Sequence, residues 1–72
     1  MTRSERLAQE GKIEVYCGEL ITAKVITDQE YEKRVRNLRY IGSESEVEYN
    51  GKLVDVHLYE EFDSDNHYAV IY

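Results

Sequence analysis

The dipeptide Asn50-Gly51, set between the alternating segments EVEY and KLVDVHLY, constrains this chain more than any other feature. Asn-Gly supplies the two positive φ angles of a type I′ turn, whose twist matches the strands it joins. Residues 46–62 therefore read as a β-hairpin. In that register Tyr49 faces Lys52, Glu48 faces Leu53, Val47 faces Val54, and Glu46 faces Asp55. Side chains alternate along a strand, so one face carries Val47, Tyr49, Val54, Val56 and Leu58. The other carries Glu44, Glu46, Glu48, Leu53, Asp55, His57 and Tyr59. A slip of one residue would bury the carboxylates, so the pattern itself pins the register.

The flanking sequence supplies cover for the apolar face. Thr2-Arg3-Ser4-Glu5 has the form of a helix-capping box, and Gly11 offers a left-handed stop, with only Leu7 and Ala8 to bury between them. KIEVYC (12–17) alternates, and LITAKVIT (20–27) is rich in β-branched residues. A strict two-residue Gly18-Glu19 turn would set Val15 opposite Thr22. A longer connection that turns Ile21, Ala23 and Val25 inward is expected instead. Thr27-Asp28-Gln29-Glu30 starts a second helix, expected to run to Arg39 with Tyr31, Val35 and Leu38 as its stripe and Gly42 as its stop. DSDN (63–66) reads as a loop. HYAVIY (67–72) is apolar on both faces, which marks a central strand or an edge covered by a partner.

These elements predict a single α+β domain over residues 1–72 in the order αββαβββ. Its four- or five-stranded antiparallel sheet has one main helix on its apolar face and a short N-terminal helix. Expected core positions are Ile13, Val15, Ile21, Val25, Tyr31, Val35, Leu38, Val47, Val54, Val56, Leu58, Val70 and Ile71. At 72 residues the core is small, and the lone Cys17 allows no internal disulfide, which fits a reducing cytoplasm. No apolar run approaches the length of a membrane span.

The net charge of −6 is unevenly placed: residues 42–72 hold eight carboxylates against Lys52 alone. That disfavours sequence-independent binding to nucleic acid or anionic lipid. No Ser-His-Asp order, Cys-His motif or glycine-rich phosphate loop is present, so no catalytic residue, cofactor site or metal site is assigned and an enzyme is not expected. His57 near carboxylates reads as a surface histidine, and Asp63-Ser64-Asp65-Asn66 as a turn rather than a calcium loop, since the following glycine is missing.

Two surfaces remain. Glu44, Glu46 and Glu48 recur every second residue, about 6.6 to 7 Å apart along a strand. With Asp55, Tyr59, Glu60 and Glu61 they form the expected partner-binding set. A carboxylate row of this kind can take the place of phosphates in the basic, nucleic-acid-binding site of another protein. The expected function is thus a small acidic, non-enzymatic inhibitor or modulator, of the kind found among accessory or phage-type proteins. Reversing Glu46, Glu48 and Asp55 together is then expected to leave the fold intact or stabilise it, by removing like-charge repulsion. The alternatives are direct nucleic-acid binding through Lys33, Arg36, Arg39 and Tyr40 on the second helix, and a homodimer paired through strand 67–72.

Overall fold

A computed structural model describes residues 2–72. The first helix, α1 (Arg3–Gln9), is capped by Thr2, whose hydroxyl oxygen accepts the Glu5 amide at 3.3 Å and lies 3.1 Å from the Glu5 carboxylate. Strands β1 (Lys12–Tyr16) and β2 (Leu20–Ile26) pair antiparallel, with Val15 opposite Ile21 and Ile13 opposite Ala23. The connection is Cys17-Gly18-Glu19, the longer loop that the apolar pattern required. Thr27 then caps α2 (Asp28–Arg34), accepting the Glu30 amide at 3.2 Å.

Here the chain departs from the expected helix. A 3-10 turn, Val35–Asn37, follows Arg34, and Leu38 already begins β3 (Leu38–Tyr49). Leu38 at the end of a helical stripe and Leu38-Arg39-Tyr40 as an alternating strand are equally good patterns. Pairing with β4 (Lys52–Glu61) decides between them, because Leu38, Arg39 and Tyr40 lie opposite Glu61, Glu60 and Tyr59. Gly42 is consequently not a helix stop. It lies in β3 beside a bulge, where a Cβ would meet the Cys17 sulfur at 3.4 Å.

The 50–51 turn forms as expected, with φ of 53° at Asn50 and 77° at Gly51. The last strand, β5 (His67–Ile71), lies in the middle of a five-stranded sheet of order β1-β2-β5-β4-β3. Three neighbouring pairs are antiparallel and β2–β5 is parallel, so the sheet is mixed where a purely antiparallel one was expected. Both edges of β5 are bonded within the chain, so the strand named for the alternative homodimer pairing, 67–72, has its ladder positions taken by β2 and β4.

The sheet curls until its two end strands, β1 and β3, touch, and α1 packs against both at that seam. The seam helix is also tied to the hairpin tip: the Gly51 amide donates to the Ser4 hydroxyl at 3.2 Å. Ile13, Val15, Ile21, Ala23, Val56, Leu58 and Ala69 fill the inside of the curl. The alanines at 0% exposure let facing strands approach closely, so the sheet closes its apolar face largely by itself. The second helix was expected on that face; it packs on the reverse. Tyr31 joins Tyr59 against Ile26, Leu38, Tyr68 and Val70 on the outer face. Of the expected core, Val35 is 43% exposed because the helix ends before its stripe is complete. Val25, Tyr31, Val47, Val54 and Ile71 are half-buried. Ile26, Tyr68 and Ala69 are core positions not anticipated. No helix among the described residues is long and apolar enough to cross a membrane.

Candidate partner-binding face

The hairpin register holds from the turn to Val47–Val54 and then breaks. Glu44, not Glu46, is the next residue in register, and it faces Val56. Ser45 and Glu46 together span the place opposite Asp55, which is a β-bulge. Glu46 carries the positive φ of 56° that absorbs the extra residue, and its amide donates to Asp55 Oδ1 at 3.2 Å. Two expectations change as a result. Glu46 and Asp55 are not a plain opposed carboxylate pair, since Asp55 caps the bulge by accepting a backbone N–H. The glutamates also do not form one row, because a bulge shifts the alternation and puts Glu44 on the side of Val56 while Glu48, opposite Leu53, lies on the outer side.

The other expected carboxylates have separate jobs. Glu60 lies opposite His67, with Oε2 3.8 Å from its Nε2. Glu61 accepts the Ser64 hydroxyl at 2.7 Å and the Tyr68 hydroxyl at 3.1 Å, and these bonds hold its carboxyl below the usual carboxylate range. Tyr59 is packed under α2, its ring centre 4.8 Å from that of Tyr31. Burial first, and the nearby Tyr31 hydroxyl second, pushes its hydroxyl up to about 12. Glu46, Glu48 and Asp55 are therefore the part of the predicted set that stays together, at the hairpin end of the outer face. Glu48 also lines a cleft of about 150 Å³ under α1, with Arg3, Leu7 and Glu14.

The residues of this half-face that sequence reasoning missed are aromatic. Helix α2 covers only the Tyr68–Tyr59 end. Beyond it, His57 stacks on Tyr72 with centroids 3.9 Å apart and planes 12° from parallel. Tyr40 meets His57 edge-on at 5.8 Å and Tyr59 at 5.7 Å, which joins the stack to the packed end. Tyr40, Leu53 and Tyr72 are 54%, 67% and 61% exposed. The signal was present in the hairpin alternation, which set Leu53, His57 and Tyr59 on one face. The placement of Tyr40 and Tyr72 beside them required the strand order. His57 Nδ1 is buried without a hydrogen-bond partner.

The alternative basic set is divided. Lys33 and Arg36 are exposed on α2 and the turn after it, whereas Arg39 and Tyr40 are successive strand residues that point to opposite faces. Arg34, next to that set, pairs with Glu30 at 3.7 Å and lies 5.3 Å over the Tyr68 ring. No group of three or more histidine, cysteine or acidic side chains fit to hold a metal occurs among the described residues. No protein-family model, curated protein or solved structure matches this chain.

Proposed function

We propose that this chain is a small, non-enzymatic binding module that lays the uncovered half of its outer sheet face on a basic surface of another protein. One observation carries the reading. Two well-exposed tyrosines, Tyr40 and Tyr72, flank His57, and the exposed Leu53 lies further along the same face at the hairpin end with Glu46, Glu48 and Asp55. An aromatic centre with a charged rim is the usual anatomy of a protein interface, in which the centre supplies affinity and the rim steers approach.

The concrete version is an inhibitor or modulator, cytoplasmic in line with the lone Cys17, that occupies a nucleic-acid-binding site of its partner. The bulge turns Glu44 to the Val56 side and leaves Glu46, Glu48 and Asp55 at the hairpin end. The complement is thus a compact basic patch rather than a long groove. Association driven this way is fast at low salt and weakens as salt rises.

The test is affinity capture from a cell extract with the wild-type chain, Glu48→Lys and Leu53→Asp, each at low and high salt. The reading requires a basic protein held by the wild type, released by salt and missed by both variants. Retention of the same proteins by all three chains, with the same salt profile, would sink it.

A further inference from the structure

We propose that the Tyr72–His57 stack seats an arginine side chain of the partner, its guanidinium lying on the Tyr72 ring and its charge met by Asp55. This rests on the binding-face reading above and narrows it to one kind of anchor. The argument starts from a contact the molecule already makes. On the outer face of β5, the guanidinium of Arg34 lies 5.3 Å over the Tyr68 ring, with Glu30 beside it at 3.7 Å. Tyr72 follows Tyr68 by two strand repeats and so presents its ring on the same side.

The Tyr72 backbone amide donates to the Asp55 carbonyl at 3.0 Å, which sets the two residues opposite each other on one face, while Asp55 Oδ1 accepts the Glu46 amide on the β3 side. The site shares with the Arg34–Tyr68 arrangement a tyrosine ring on the outer face and an acidic residue beside it, and it lacks the cation. Among the described residues no cation lies over Tyr72, and none pairs with Glu46, Glu48 or Asp55. His57 backs the Tyr72 ring at 3.9 Å and holds it in place, while 61% of the residue remains open to solvent.

The chemistry of the site favours arginine over lysine. A guanidinium is planar, so it stacks flat on a fixed ring and still presents N–H donors in its own plane toward carboxylates. An ammonium is a compact, strongly hydrated charge that gains little from a flat surface. Cation–π attraction at a partly exposed ring is small, so the arginine preference it supports is roughly two- to fivefold.

The experiment is a titration of the isotope-labelled protein with two short peptides of equal charge, one of arginines alternating with glycines and one of lysines alternating with glycines. Binding is followed through the amide signals of Asp55, His57 and Tyr72. The arginine peptide is expected to bind several-fold more tightly. Tyr72→Leu, which keeps an apolar side chain and loses the ring, should bring the two affinities together, and Tyr72→Phe should restore the gap.

Equal affinity of the two peptides for the wild type would overturn the arginine anchor while leaving the charge-steered reading in place. Loss of both the peptide binding and the salt-sensitive capture described above would remove both. A dimer in sedimentation that buries Tyr72 would assign the face to a second copy and overturn the anchor as well.

Discussion

Replacing Glu46 by glycine should make this protein more stable, and the sign of that effect separates two accounts of the hairpin. In a regular strand, with Glu46 opposite Asp55, glycine loses side-chain packing and costs backbone entropy, a destabilisation of about 0.5–1 kcal/mol. In the bulge, Glu46 holds φ at 56°, a left-handed conformation that a side chain with a Cβ adopts at a cost of about 1–2 kcal/mol. Glycine removes that cost and keeps the amide that donates to Asp55 at 3.2 Å. Set against the extra entropy of a glycine, the net gain is roughly 0.5–1 kcal/mol. For a domain of this size that corresponds to a rise in Tm of about 2–8 °C. Glu46→Gln is the control, because it removes the charge and leaves the backbone demand; it should stay within about 0.5 kcal/mol of the wild type. Thermal and urea unfolding of the three chains gives the answer. A glycine variant at or below wild-type stability, with the glutamine variant unchanged, would refute the bulge and the splitting of the glutamate row that depends on it.

Asp55→Ala should cost about 0.5–1.5 kcal/mol in urea unfolding, because the Glu46 amide loses its acceptor, and reversing the three hairpin carboxylates together is expected to carry the same cost. Leu58→Ala, at 0% exposure inside the curl, should cost about 2–5 kcal/mol, whereas Val35→Ala, at 43% exposure, should fall within about 0.5 kcal/mol of the wild type. In acid, Glu14, bonded to Arg3, and Glu61, bonded to Ser64 and Tyr68, both have lowered pKa values in the folded chain. Their contribution to stability is complete above the ordinary carboxylate range and is lost as pH falls through their folded values, so a Glu14→Gln, Glu61→Gln double variant should show a flatter acid limb. In alkali the sign reverses. The Tyr59 hydroxyl, raised to about 12, supports the fold below the ordinary tyrosine range and loses that support as pH rises toward about 12. Spectrophotometric titration should therefore find it ionising last or together with unfolding, and Tyr59→Phe should extend the stable range upward.

The elements legible in the sequence were those specified by local chemistry. Thr2 and Thr27 cap helices, Asn50-Gly51 turns the hairpin, and the alternation of Ile13 and Val15 marks an inward face; each depends on neighbours a few residues away. What escaped was set by distant partners. Leu38 fits a helix stripe or a strand until Glu61 and Tyr59 are known to lie beside it. The bulge at Ser45-Glu46 leaves no local trace, since neither residue is a glycine. The face chosen by α2 could not be read from its own stripe, because the sheet rolls over its apolar side and leaves the helix the reverse. The aromatic stack was half visible, in His57 and Tyr59, and was complete only once β5 carried Tyr72 next to His57.

The position of β5 also dictates the order in which this molecule can assemble. Without residues 67–71 the chain holds two separate hairpins, β1–β2 and β3–β4, with no backbone ladder joining them. Each would present a raw inner edge where the fifth strand belongs. Local pairing can therefore finish early, but the curled sheet waits for a segment remote in sequence to slot in as a keystone, and closure of that long loop sets the pace. The same architecture makes HYAVI a detachable part: a chain ending at Asn66 should be an aggregation-prone pair of ribbons, and a peptide of that sequence supplied separately should be able to complete it.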